Sequence, residues 1–116
     1  MKSLYKLLVD KNKKAEKYIK NPKYYAEKIK NVFSKRFKDV KVLLFGSVIT
    51  NQTRPNSDVD VLIISKYIPK TIFEQVKLKL MIERKFPNSP FELHLVTPAE
   101  FKNWYKNFIK SNYIEV

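Results

Sequence analysis

A chain of 116 residues fits one compact domain, here assigned to 1–116 with a helical segment over 1–38 and a core over 39–108. A hydrophobic share of 44%, with 14% of all residues aromatic, excludes disorder, and the absence of cysteine excludes a disulfide frame and a thiolate metal site. Lysine and arginine total 24 against 11 acids, a net charge of +13 that favours polyanionic ligands such as nucleotides, nucleic acid or acidic proteins.

The first residues, MKSLYKLLVDKNKK, lack the apolar run of a signal peptide. No stretch of about 18 apolar residues exists to span a membrane. The expected location is therefore the cytoplasm, with no membrane partner.

Residues 3–20 read as a helix, because Leu4, Leu7, Leu8, Ala15, Tyr18 and Ile19 fall on one side at 3.6 spacing. Asn21-Pro22 starts a second helix, proline standing at its first position. Tyr25, Ile29, Val32 and Phe33 give that helix one apolar face, and both helices read as cover for a sheet. Val40 to Phe45 is a nearly continuous apolar run, the pattern of a strand buried on both faces. Gly46, the chain's single glycine, ends it. Val48 to Thr50 suit one helical turn, and Asn51 to Asn56 form a polar loop. Val59 to Ile64 is a second strand. Thr71 caps a helix running to about Phe86, Pro87 to Pro90 turn the chain, and Phe91 to Thr97 form a third strand. Pro98 opens a last helix in which Phe101, Trp104, Tyr105 and Phe108 share a face that reads as core. The order ααβ(loop)βαβα predicts an α/β (α+β) fold, a mixed sheet covered by helices.

Chemistry gathers around the central loop. A glycine at a strand's end lets the backbone approach a ligand or take positive φ. A helical turn behind it would aim free N–H groups at a phosphate, with the Ser47 hydroxyl beside them. Asp58 and Asp60 follow at the loop's far end. On a strand they share one face, roughly 6–7 Å apart. Such a pair repels by about 2–3 kcal/mol at an effective dielectric near 20, and needs a cation. Mg²⁺ and two of the basic side chains are both candidates. In Phe91–Val96, Glu92 and His94 share a face and interrupt an apolar run. A polar pair there is costly without partners. The strand is expected beside the one carrying Asp58 and Asp60. His94 is the only histidine in the chain.

The string GSVITNQTRPNSDVDVLI resembles the signature of the minimal nucleotidyltransferases, small members of the DNA polymerase β-like superfamily. Gly46, Ser47, Arg54, Pro55, Ser57, Asp58 and Asp60 all fall at matching positions. FELHLVTPAEF is similar, more loosely, to the family's third strand, so the likeness covers about residues 40 to 105. It implies a palm-like mixed sheet with helices packed on one side. It implies that Gly46 and Ser47 hold the nucleotide's β- and γ-phosphates, with Arg54 and Ser57 in the nucleotide loop. Asp58 and Asp60 would hold Mg²⁺ in a two-metal site, and ATP would donate AMP to an acceptor hydroxyl. Stand-alone members pair with a helical HEPN-type protein as antitoxin and toxin, which makes such a protein the expected partner. Nucleic acid is the lesser expectation. The chain departs from the pattern twice. His94 stands where the family carries its third carboxylate, which leaves Glu92 to replace it. Val48 and Thr50 stand where the family often has an arginine.

Overall fold

The computed structural model describes residues 3–46, 49, 58–110 and 112–116, without the side chains of 11, 12 and 108. Helix α1 (Leu4–Lys20) starts at Ser3, whose Oγ accepts the Lys6 N–H at 3.2 Å. Helix α2 (Pro22–Ser34) follows after Asn21, with proline at the position that needs no N–H donor. Its Ala26, Ile29 and Phe33 are buried, a spacing that puts all three on one face. Strands β1 (Lys41–Phe45) and β2 (Val59–Ile64) pair antiparallel. Helix α3 (Ile72–Lys85) is capped by Thr71 Oγ1, and β3 (Phe91–Val96) then lies parallel to β2. Parallel neighbours need a long crossover, which α3 supplies.

The helical stretch after β3 has three parts: α4 (Pro98–Glu100), a π-helical turn (Phe101–Tyr105) and α5 (Lys106–Ile109). The turn is marked by the Lys106 N–H donating to Phe101 O, five residues back. A last strand, β4 (Tyr113–Glu115), adds antiparallel to β1. The sheet order is β3-β2-β1-β4.

Both faces of this sheet carry apolar side chains. On one, Val42, Leu44, Val59, Val61, Ile63, Leu93 and Leu95 pack against Tyr18, Ala26, Ile29, Phe33, Leu78 and Ile82 of the three long helices. On the other, Leu43, Phe45, Leu62, Ile64 and Val96 meet Phe101, Tyr105 and Ile109. The mixed, palm-like sheet with its long helices on one side is the expected architecture. The short helical stretch after β3 adds partial cover to the opposite face. In β2, five of six residues are buried, each apolar one contributing about 1.5–3 kcal/mol. The exception is Asp60.

Two expectations fail locally. Leu4, Leu7 and Leu8 are 74%, 51% and 53% exposed, so α1 meets the core through Ala15, Tyr18 and Ile19 and not through its first two turns. Trp104 is 72% exposed and not core. The π turn displaces the helical register just there, so the regular 3.6 spacing no longer predicts which ring faces in.

Candidate active site

The polar end of the second face begins at Gly46. Its φ is +84°, the left-handed region that favours glycine. The Ile49 N–H donates to Gly46 O at 3.0 Å, so the chain turns immediately after β1. The helical turn expected over Val48 to Thr50 falls mostly on residues outside the described ones, since Val48 and Thr50 are not among them. A Cβ placed on Gly46 would collide with Asp60 Oδ2. The lone glycine thus answers two demands, a backbone angle and a neighbouring carboxylate.

Asp60 sits in the central strand between two partners in register, Phe45 on β1 and Glu92 on β3. The next row toward the sheet's interior pairs Leu62 with His94. Residues 60 and 62 on β2, and 92 and 94 on β3, point to one face because strand side chains alternate. The His94 ring leans diagonally back, and its Nε2 lies 3.3 Å from Asp60 Oδ1. Diagonal neighbours in a sheet lie about 7–8 Å apart at the backbone, well within reach of an imidazole. Two rings hold it in place. Phe45 stands 5.3 Å away between centroids, and Tyr105 meets it edge-on at 5.9 Å.

Asp60, Glu92 and His94 each offer a ligand atom, and the three atoms lie within 4.8 Å of one another. Asp60 and His94 are about three-quarters buried at the side chain, and Glu92 is exposed. Asp58, one residue ahead of β2 and exposed, is not part of this group. Among the described residues no lysine or arginine forms an ion pair with Asp58, Asp60 or Glu92; the partner of Asp60 is His94. Two carboxylates and an imidazole can together hold a divalent ion, and the glycine that makes room for Asp60 fits that arrangement.

A cleft of about 560 Å³ opens beside the group, lined by His94, Glu100, Trp104 and Tyr105. The chain enters it through a capping box. Thr97 Oγ1 accepts the Glu100 N–H at 3.2 Å, and Glu100 Oε1 accepts the Thr97 N–H at 3.0 Å. The π turn then carries Trp104 and Tyr105 to the cleft wall. Sequence reasoning assigned both aromatics to the core; Tyr105 does pack against the second face, whereas Trp104 is exposed. The signal that would have marked them is their distance from His94, ten and eleven residues along a strand–helix junction.

Of the residues singled out from sequence, Gly46, Asp60, Glu92 and His94 come together at one end of the sheet. Asp58 stands at its margin. Ser47, Arg54 and Ser57 lie outside the described residues.

No curated protein sequence matches this chain. Among solved structures, a crystal structure described as a candidate nucleotidyltransferase is 33% identical, with a TM-score of 0.56, covering 79% of this chain and 97% of its own. A second, described likewise and from Sulfolobus solfataricus, is 18% identical with a TM-score of 0.51, over 89% and 82% of the two chains, and shows the same fold. A family model, the nucleotidyltransferase domain, matches residues 26–116, from within α2 through every strand of the sheet. By that match this chain belongs to the nucleotidyltransferase domain family.

Proposed function

We propose that this chain transfers AMP from ATP to an acceptor hydroxyl in a reaction that needs Mg²⁺. The observation that carries the reading is the packing of the Gly46 turn against the Asp60 carboxylate. It sets a backbone suited to phosphate and a set of metal-capable side chains within one nucleotide's reach. The nucleotidyltransferase family match supports the reaction class.

In the proposed reaction an acceptor oxygen forms a bond to the α-phosphorus, and the bond from that phosphorus to the β-bridging oxygen breaks. Pyrophosphate leaves. The acceptor proton passes to Glu92, the most exposed carboxylate of the group. Divalent ions bound at Asp58 and Asp60 would neutralise the triphosphate and the leaving oxygen. Gly46 and Ser47 take the β- and γ-phosphates, with Arg54 and Ser57 ordering the loop. The cleft lined by Trp104 and Tyr105 receives the adenosine end. The protein's remaining task is positioning, which dominates phosphoryl-transfer chemistry. The acceptor we favour is a side chain of a helical HEPN-type partner in the cytoplasm.

The test is label transfer from α-labelled ATP to that partner with Mg²⁺ present. Transfer by the wild type, lost in the Asp58→Ala/Asp60→Ala double variant, supports the proposal. No transfer, or equal transfer by the variant, ends it. A second reading is a partner-binding module that keeps the fold without the chemistry. The contact of His94 with Asp60 at the third-carboxylate position favours it. Calorimetry separates the two, because a pure binding module takes up no Mg²⁺-ATP.

A further inference from the structure

We propose that Asp60, Glu92 and His94 form a metal site that selects a borderline transition ion, such as Co²⁺, Ni²⁺ or Zn²⁺, over Mg²⁺, with His94 Nε2 as a direct ligand. The inference rests on reading this face as a metal site. It does not depend on which nucleotide is used or on which acceptor is modified.

The donor set is the first ground. Mg²⁺ takes hard oxygen ligands and gives up water reluctantly. Imidazole nitrogen suits Zn²⁺, Fe²⁺, Co²⁺ and Ni²⁺, and a mixed set of one nitrogen and two carboxylates fits that class of ion. The proposed Asp58–Asp60 pair offers oxygen alone. The face therefore offers two unlike coordination environments that share Asp60.

Geometry is the second ground. Two ligands bound side by side to one ion, at bonds of about 2.1 Å, stand about 3.0–3.4 Å apart. His94 Nε2 and Asp60 Oδ1 are 3.3 Å apart. All three ligand atoms lie within 4.8 Å of one another. One oxygen of Glu92 completes the set and leaves its other oxygen for the acceptor proton.

The third ground is restraint. Phe45 and Tyr105 flank the imidazole, and Nε2 is the nitrogen turned to Asp60. Gly46 confines the other side, since any Cβ would meet Asp60 Oδ2. Asp60 and Glu92 stand side by side in register, and no lysine or arginine among the described residues pairs with either. The positive charge this pair needs has a place to sit, and the ligands are held before it arrives.

One feature makes the test clean: His94 is the sole histidine. Tag-free full-length protein is titrated with Zn²⁺, without nucleotide, and the two imidazole nitrogens are followed by NMR. The expected result is a saturable shift of Nε2 to that of a metal-bound nitrogen, with Nδ1 held as the protonated nitrogen, unreversed by about a hundredfold excess of Mg²⁺. Co²⁺ titrations of wild type, His94→Ala and His94→Asp follow, read by visible absorption. Both variants should weaken Co²⁺ at least tenfold, and His94→Asp should narrow the gap between Co²⁺ and Mg²⁺. An unmoved Nε2, equal displacement by Mg²⁺, or Co²⁺ affinity unchanged by both variants overturns the inference. The NMR arm uses the native chain and decides the matter even where a variant fails to fold. Zn²⁺ at His94 without nucleotidyl transfer would end the proposed function and leave this site standing. Mg²⁺-dependent transfer with an unmoved imidazole would do the reverse.

Discussion

Gly46 and Asp60 share a space that holds one of two things, a Cβ or a carboxylate oxygen. Gly46→Ala therefore carries two costs. Holding alanine at a φ of +84° costs about 1–2 kcal/mol, and displacing the Asp60 carboxylate adds to it. With Asp60→Ala in the background the second cost vanishes and the first stays. Urea unfolding of the four proteins in this cycle measures the difference. Equal costs of Gly46→Ala in the two backgrounds would show that the contact carries no energy.

The aromatic wall of the cleft gives a prediction that separates folding from binding. Trp104 is 72% exposed, so Trp104→Ala should change stability by no more than about 0.5 kcal/mol. If the cleft takes the adenine ring, loss of stacking weakens nucleotide binding by about 1–3 kcal/mol. Calorimetry with Mg²⁺-ATP on both proteins reads the effect. Unchanged affinity would put the base elsewhere and leave the cleft to the acceptor.

The central strands were legible because their runs are continuous and apolar, and burial on both faces leaves few other readings for Val42 to Phe45 or Val61 to Ile64. The helix starts were legible from Pro22, Thr71 and Pro98, whose chemistry is local, whereas the caps at Ser3 and Thr97 emerge only in the structure. Strand β4 was not, since Tyr113, Ile114 and Glu115 are exposed and owe their strand to the free edge of β1. The exposure of Leu4, Leu7 and Leu8 was hidden too. A helical pattern shows which side of α1 is apolar but not how far the sheet beneath it extends. The choice between Glu92 and His94 depended on the register of β3 against β2. Sequence carries the alternation of a strand, whereas register comes from the whole sheet and its crossover. With Glu92 opposite Asp60, a long ring one row away still reaches back, and both residues face the carboxylate.

Far from the site, Ser65 is fully buried and donates to Asp39 Oδ1 at 2.6 Å, while the Lys66 N–H donates to Oδ2 at 2.8 Å. The hydroxyl first, then the backbone N–H, hold the Asp39 carboxyl below its ordinary range. An unfolded aspartate titrates near about 3.9, so the contribution is fully present above that pH. It is lost as pH falls through the lower folded value, because the unfolded chain binds its proton first. Asp39→Asn should flatten the acid limb of stability, followed by urea midpoints from about pH 5 to about pH 2. An acid limb as steep as the wild type's would show that other carboxylates govern it. Ser65→Ala should cost about 1 kcal/mol at neutral pH.

The two aspartates of the Asp-x-Asp pair should differ in a way their spacing alone does not suggest. Asp60 is flanked in register by Glu92 and touched by His94, whereas Asp58 is exposed and outside that group. Asp60→Asn removes a ligand from both proposed environments. It should abolish nucleotidyl transfer and weaken Co²⁺ by more than the about 10–100-fold typical of a change in a ligand's supporting partner. Asp58→Asn should abolish transfer as well, yet leave Co²⁺ binding nearly untouched. The asymmetry follows from chain position, since one carboxylate stands inside the sheet and the other at its lip. Metal titration and label transfer on the same two proteins check it. Equal loss of Co²⁺ by both variants would mean that Asp58 swings in to join the imidazole site, and that the two environments are one.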